Sequence, residues 1–444
     1  MHCHHVGVES IISQGQREGT ATATWGQRYM WDIIKSLEPW DDHLNMALVE
    51  PIPPGTSLAT VLDALRRVLS AYDTFRTSYR LDPDGRLVQV LAARQRFDVD
   101  IYQVRGAYTE DDLRAGLAHV ITDRFPPEDT HQLRCAVVLH EDTPIKLLLA
   151  LSHITMDLWA ISVVHRQLRD LLAGRPVTFG THQPFDQAAY EAGPRGQHRN
   201  RAALDYWERS VKEFPTRYPG EGSRAAERPR YQTCVLTSTR MFLAARSLAA
   251  SAKVSLPTVL TVAFARLIGE ATGLPRVPLL TRTNNRTRPA LLTAVGHYAQ
   301  QAPIMVDVSL PFDEMLRAAH RAGLSAYYHG TVDPVELAQR LRPAAGSPGP
   351  ALTMTINHRR PASLPGAPDP VRVGAEPPRA GDTGPATIAW SGGRDYEHIS
   401  LYCDTVPAEH TFAIFLDTTF LRRDELERLM WRMEADLLER AGSG

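Results

Sequence analysis

Long apolar runs are missing from this chain. No stretch of its 444 residues reaches the ~18 consecutive apolar positions that a bilayer-spanning helix needs, so no membrane partner is expected. Cysteine is scarce: Cys3, Cys135, Cys234 and Cys403 are scattered, with no CxxC pair. That excludes a disulfide framework and a structural zinc spacing, and it suits a reducing cytoplasm. Cys135 sits in an apolar run and reads as a small core residue. An excess of charge is also missing. With 49 basic and 50 acidic residues the formal net charge is −1, and no global field gathers nucleic acid or an anionic membrane surface. The opening Met1-His2-Cys3-His4-His5 has no apolar core of a secretory signal. It reads as a frayed terminus rather than a metal site. No repeat of fixed period is present.

What is there is an ordinary globular mix, 43% hydrophobic and 22% charged. The length exceeds the ~100–200 residues of a typical domain, so two lobes are expected, over 20–215 and 231–444, joined by the polar linker Arg217 to Arg230. Residues 57–69 carry a helical apolar stripe, and Leu87 to Leu91 follows a turn at Asp82-Pro83-Asp84-Gly85 as a strand. Leu133 to His140 and Ile145 to Leu151 flank a loop suited to an antiparallel hairpin, the second arm apolar enough to be buried on both faces. A helix begins near Asp157 and stops before Gly174 and Pro176. In the second half, helices over 240–252, 257–271 and 312–328 alternate with strands over 277–280, 303–308, 353–357, 399–406 and 411–420. A last amphipathic helix over 424–438 has Asp424 as its expected cap. Elements of both periods alternate throughout, which predicts an α/β protein. Residues 360–385, dense in Pro, Gly and Ala, hold no periodic pattern and read as a crossing segment or loop.

The chemistry centres on Leu151-Ser152-His153-Ile154-Thr155-Met156-Asp157. Histidine is the side chain whose unperturbed pKa, ~6.5, lets it exchange protons near neutrality. His153 lies where a buried strand gives way to a helix, on a loop held by rigid elements, as a general base requires. Asp157 cannot enter the interior without a cation, and the loop Thr283-Asn284-Asn285-Arg286-Thr287-Arg288 offers one. With 17 histidines in the chain this spacing alone does not decide for catalysis. A serine nucleophile is set aside because no G-x-S-x-G elbow surrounds Ser152.

The segment resembles the HHxxxDG signature of nonribosomal peptide synthetase condensation domains, members of the chloramphenicol-acetyltransferase-like superfamily. The resemblance continues in chain order. Thr24-Trp25-Gly26-Gln27-Arg28-Tyr29-Met30-Trp31 is similar to SxAQxRxW, and Tyr72-Asp73-Thr74-Phe75-Arg76-Thr77-Ser78-Tyr79 to HExLRTxF. Asp186 to Tyr190 resembles DFAVW, and Tyr206-Trp207 the YW that follows. Asn285 to Pro289 and Val295 to Gln300 resemble GRxxPE and GxFVN. Asp333-Pro334-Val335-Glu336 resembles DxPFE, and Thr355-Ile356-Asn357 a late strand of the pattern.

The resemblance implies two chloramphenicol-acetyltransferase-like lobes in a V with a tunnel between them, and an acyltransferase that joins a carrier-bound acyl thioester to an amine or hydroxyl. His153 would be catalytic. Asp157 would pair with Arg286 across the lobe boundary, and Ser152 would support the turn. Leu158, Trp159, Gln300 and Asn357 would line the tunnel, Val295 to Gln300 would form its floor, and the stretch from Arg360 would latch the lobes. No bound cofactor and no metal are implied; the phosphopantetheine arm would come with a partner carrier protein. The acceptor would be a small molecule or a second carrier-bound group, and the chain either freestanding or part of a longer synthetase. Departures from the pattern are Ser152 for the first histidine, Leu158 for glycine, Ala160 for serine, Tyr29 for arginine and Gln300 for asparagine. The heterocyclisation pattern DxxxxD fails at Ser152, and further epimerisation motifs are absent. The alternative function is a silent platform that recruits carrier proteins or tailoring enzymes.

Overall fold

The computed structural model describes residues 3–126, 132–344, 347–359, 384–394, 400–406 and 409–442. They form two compact units. The first comprises the described residues of Met1–Gln197 together with the returning segment Arg286–Ala299. The second comprises those of His198–Asn285, Gln300–Arg360 and Glu376–Gly444. Lobes over 20–215 and 231–444 were expected. The observed division differs because residues 286–299 pack with the first unit.

In chain order the first unit contains β1 (Cys3–Gln14), β2 (Gly19–Thr22), α1 (Trp25–Leu37), β3 (Met46–Pro51), α2 (Leu58–Ala71), β4 (Thr77–Leu81), β5 (Leu87–Leu91), β6 (Arg94–Val104), α3 (Glu110–Thr122), β7 (Leu133–His140), β8 (Thr143–Leu151), α4 (Leu158–Leu172) and α5 (Pro184–Ala192). Its main sheet runs β1-β6-β7-β8-β3, and β2-β5-β4 form a small second sheet. β7 and β8 form the expected antiparallel hairpin, Leu133 facing Leu151. β8 is flanked by β7 and β3, which is why its inner half, Leu147 to Leu151, is apolar without alternation. Ser57 caps α2 by accepting from the Thr60 N–H, and Val61, Ala64, Leu65, Val68 and Leu69 turn inward. They pack with Ile161, Val164 and Leu168 of α4 in one core.

The amino terminus corrects its expectation. From Cys3 onward it is not frayed but paired along the length of β6, Cys3 opposite Val104 and Gln14 opposite Arg94, with one shift near Gly7. Backbone pairing holds β1, and its side chains are mostly exposed, so no apolar pattern announced it.

The second unit follows α6 (Pro194–Val211), a helix that begins in the first unit's sequence range. It contains β9 (Tyr231–Thr237), α7 (Thr239–Ser251), α8 (Leu256–Thr272), β10 (Arg276–Thr283), β11 (Gln300–Asp307), α9 (Phe312–Tyr328), α10 (Pro334–Arg340), β12 (Met354–His358), β13 (Thr387–Arg394), β14 (Leu401–Val406), β15 (Thr411–Asp417) and α11 (Arg423–Gly442). Its seven strands run β11-β10-β12-β14-β15-β9-β13, parallel at β10-β12 and β12-β14 and antiparallel elsewhere. α8 is buried nearly all round because it is central to this core. Ser255 caps its start, and Gly273 at φ +73° ends it in the left-handed geometry that glycine tolerates. α11 starts one residue earlier than expected, so Asp424 lies in the first turn and pairs with Arg428 at 2.7 Å. Glu425 instead accepts from the Arg422 N–H at 2.9 Å. The proposed latch from Arg360 falls on residues 360–383, outside the described residues. Among the described residues no single helix is long and apolar enough to cross a membrane.

Candidate active site

β8 ends at Leu151 and the chain turns at once. Buried Ser152 donates its N–H to the Gln132 carbonyl at 3.1 Å and accepts from the Thr155 N–H at 3.0 Å. The Thr74 hydroxyl donates to the Thr155 carbonyl at 2.7 Å, bracing the turn from the short helix Asp73–Arg76. His153 is thereby raised to a half-buried position between strand and helix. Its Nδ1 lies 2.9 Å from the Met156 carbonyl oxygen. A carbonyl only accepts, so Nδ1 carries the proton and Nε2 is the ring's lone-pair nitrogen in the neutral form. That tautomer is the one a proton acceptor needs.

Asp157 caps α4, its Oδ1 accepting from the Ala160 N–H at 2.9 Å. The same oxygen accepts from Arg286 Nη2 at 2.7 Å, both side chains being almost fully buried. Oδ2 accepts from the Tyr298 N–H at 3.0 Å, and the Asp157 N–H donates to the Gly296 carbonyl at 3.3 Å. One carboxylate thus ties the start of α4 to both ends of the returning segment. The ion pair was expected across the boundary between lobes. It closes inside the first unit, because Arg286 begins the segment that packs there. Burial lowers the Arg286 guanidinium from its ordinary value, against the pull of Asp157. Its Cζ lies 4.9 Å from the centre of the Tyr298 ring, a second cation-stabilising contact.

His297 was not singled out by the sequence, yet the structure brings it to the same place. It is 1% exposed. Nδ1 lies 2.9 Å from the His153 carbonyl oxygen and Nε2 3.0 Å from that of Ala299. Its ring meets the His153 ring edge to face, centroids 4.9 Å apart and planes at 79°. Burial first, and His153 second, push its imidazole down to about 3. No spacing rule connects residues 144 positions apart, so only the fold reveals the pair.

The other expected site residues divide. Trp159 is half-buried and donates Nε1–H to the Leu292 carbonyl at 2.9 Å. Leu158 opens α4 half-buried, while Ala160 and Ile161 after it enter the core. Gln300 and Asn357 belong to the second unit. Gln300 is buried, with Oε1 accepting from Asn285 Nδ2 and the Val332 N–H, and Nε2 donating to the Val332 carbonyl at 2.7 Å. Its amide is committed to bracing that unit. Asn357 Nδ2 donates to Asp404 at 2.9 Å, and Asp404 also pairs with Arg359 at 2.6 Å. Among the described residues no cluster of His, Cys, Asp and Glu is placed to hold a metal ion.

A family model described as "Condensation domain" matches residues 17–357. Among curated proteins, N-(5-amino-5-carboxypentanoyl)-L-cysteinyl-D-valine synthase of Amycolatopsis lactamdurans is 26% identical over 319 residues, 67% of this chain and 8% of the synthase. The chain therefore spans a small part of that relative. Among solved structures, one described as the basis for condensation domain-mediated chain release from the enacyloxin polyketide synthase superposes with a TM-score of 0.74 at 22% identity. That match covers 95% of this chain and 82% of the other. The X-domain in its complex with OxyB from teicoplanin biosynthesis superposes with a TM-score of 0.66 at 18% identity, over 96% and 94%. At these identities the structures speak for the fold.

Proposed function

Because the chain belongs to the condensation-domain family, we propose that it is an acyltransferase that joins a carrier-bound acyl thioester to an amine or hydroxyl, with His153 as proton acceptor. The observation that carries this reading is the bond from His153 Nδ1–H to the Met156 carbonyl, which leaves Nε2 as the basic nitrogen. As the nucleophile's N–C or O–C bond forms at the thioester carbonyl, Nε2 takes its proton. The C–S bond then breaks, and the proton passes to the departing thiolate. The acyl group would arrive on the phosphopantetheine arm of a partner carrier protein, in natural-product biosynthesis inside the cell. Ser152 holds the turn through its backbone, Asp157 with Arg286 holds the helix start, and Leu158 and Trp159 are the nearest candidates to meet substrate.

His153→Ala tests this. Folding should persist, and turnover should drop by ~10²–10⁴-fold. An unchanged rate would transfer support to the second reading, a platform that recruits other enzymes. Two observations favour that alternative: the altered signature at Ser152 and Leu158, and the likeness to an X-domain whose structure is a complex with OxyB.

A further inference from the structure

Asp157, Arg286 and His153 have roles in the account above, while His297 is a buried titratable ring without one. An apolar side chain would fill its place without the cost of burying polar nitrogens. What an apolar side chain could not do is bond a carbonyl, and His297 has a carbonyl oxygen at each nitrogen. A neutral ring carries one N–H and satisfies one of them. Donation to Ala299, two residues on, would stabilise only its own loop. Donation to His153 links the returning segment to the turn.

We propose that His297 is a positioning residue for His153, gripping its backbone carbonyl through Nδ1–H and walling the edge of its ring so that the turn holds one orientation. The inference rests on the reading of His153 as proton acceptor. Its frame is already rigid. Asp157 binds the backbone on both sides of His297, at Gly296 and Tyr298. Gly26 of α1 sits so close beneath that a Cβ there would lie 2.5 Å from the His297 carbonyl oxygen. The charged or titratable groups acting on the ring are His153 and Asp157. Its depressed basicity keeps it neutral, so it adds no positive charge against a proton arriving on His153.

Three variants separate the two possible bonds. His297→Asn places an amide nitrogen near the position of Nδ1, His297→Gln places one near Nε2, and His297→Phe keeps a ring without either. The probes are acetyl- and benzoyl-loaded carrier protein, with a primary amine and a primary alcohol as acceptors. We expect His297→Asn to keep kcat close to wild type. His297→Gln and His297→Phe should lose ~10–10²-fold in kcat at unchanged KM, as small misplacements of a reacting group do. In parallel, nitrogen NMR of labelled histidine should show His153 held as the Nδ1–H tautomer in wild type and His297→Asn, and tautomer mixing in the other two. Equal kcat in all three variants, or activity kept by His297→Gln and lost by His297→Asn, overturns the proposal. A wild type inactive with every probe counts against the proposed function instead, and the His153 spectrum still decides the positioning role: an identical spectrum in all variants would reject it.

Discussion

Asp157 uses two carboxylate oxygens to hold an arginine, a helix start and a backbone N–H at once. Removing the carboxylate takes from buried Arg286 the anion that lies 2.7 Å from it, a loss that typically costs ~3–5 kcal/mol. Asp157→Ala should therefore show a much lower urea midpoint, and Asp157→Asn, whose single amide oxygen can still accept from the Ala160 N–H and Arg286 at the Oδ1 position, a smaller drop. Equal midpoints for Asp157→Ala and wild type would contradict the account. His297 makes a pH prediction at the same scale. In the unfolded chain it binds a proton below its ordinary 6.5, whereas the folded protein refuses that proton until about 3. Between those values the unfolded state binds more protons, so stability falls as pH is lowered through that window. Urea unfolding from pH 7 to pH 4 should show this decline, with a shallower slope in His297→Phe. Identical slopes would contradict it.

At the scale of elements, α1 fits closely against the returning segment. A methyl on Gly26 would meet backbone, at the His297 oxygen and at the Tyr298 Cα 2.8 Å away, and neither can swing aside. Gly26→Ala should cost ~1–3 kcal/mol by overpacking and reduce turnover. Gly7→Ala in β1, where nothing lies within 4 Å, serves as the control that changes neither. If Gly26→Ala melts and turns over like Gly7→Ala, the close contact does not matter. Leu158 opens α4 beside the turn that carries His153. If its isobutyl group borders the donor path, Leu158→Gly should accept bulkier acyl groups than wild type. Matching donor profiles, both active, would reduce it to packing. Elements with a strong period were legible from sequence: α9 over Phe312–Tyr328 and the hairpin of β7 and β8, which ends at Leu151, form where the apolar pattern put them. β1 was not, because a mostly exposed strand held by backbone pairing carries no apolar rhythm. That Asp157 needs a cation from the loop 283–288 was legible because burying a lone carboxylate is costly, and the family resemblance singled out Arg286 within that loop. His297 was not, because a carbonyl partner leaves no mark on side-chain chemistry.

For the whole molecule, the chain is an α/β member of the condensation-domain family with two compact units, and His153, Asp157 and Arg286, the residues of the proposed site, lie in the first. Fold membership does not by itself distinguish a transferase from a recruiting platform, since both rest on the same architecture. What separates them is whether a proton moves at His153. The most direct test is intact-mass spectrometry of carrier protein loaded with an acetyl or benzoyl thioester, incubated with amine or alcohol and either wild type or His153→Ala. Wild type should discharge the carrier to its free thiol while a new amide or ester mass appears, and His153→Ala should do so ~10²–10⁴-fold more slowly. Discharge and product formation at the same rate with both proteins would contradict it.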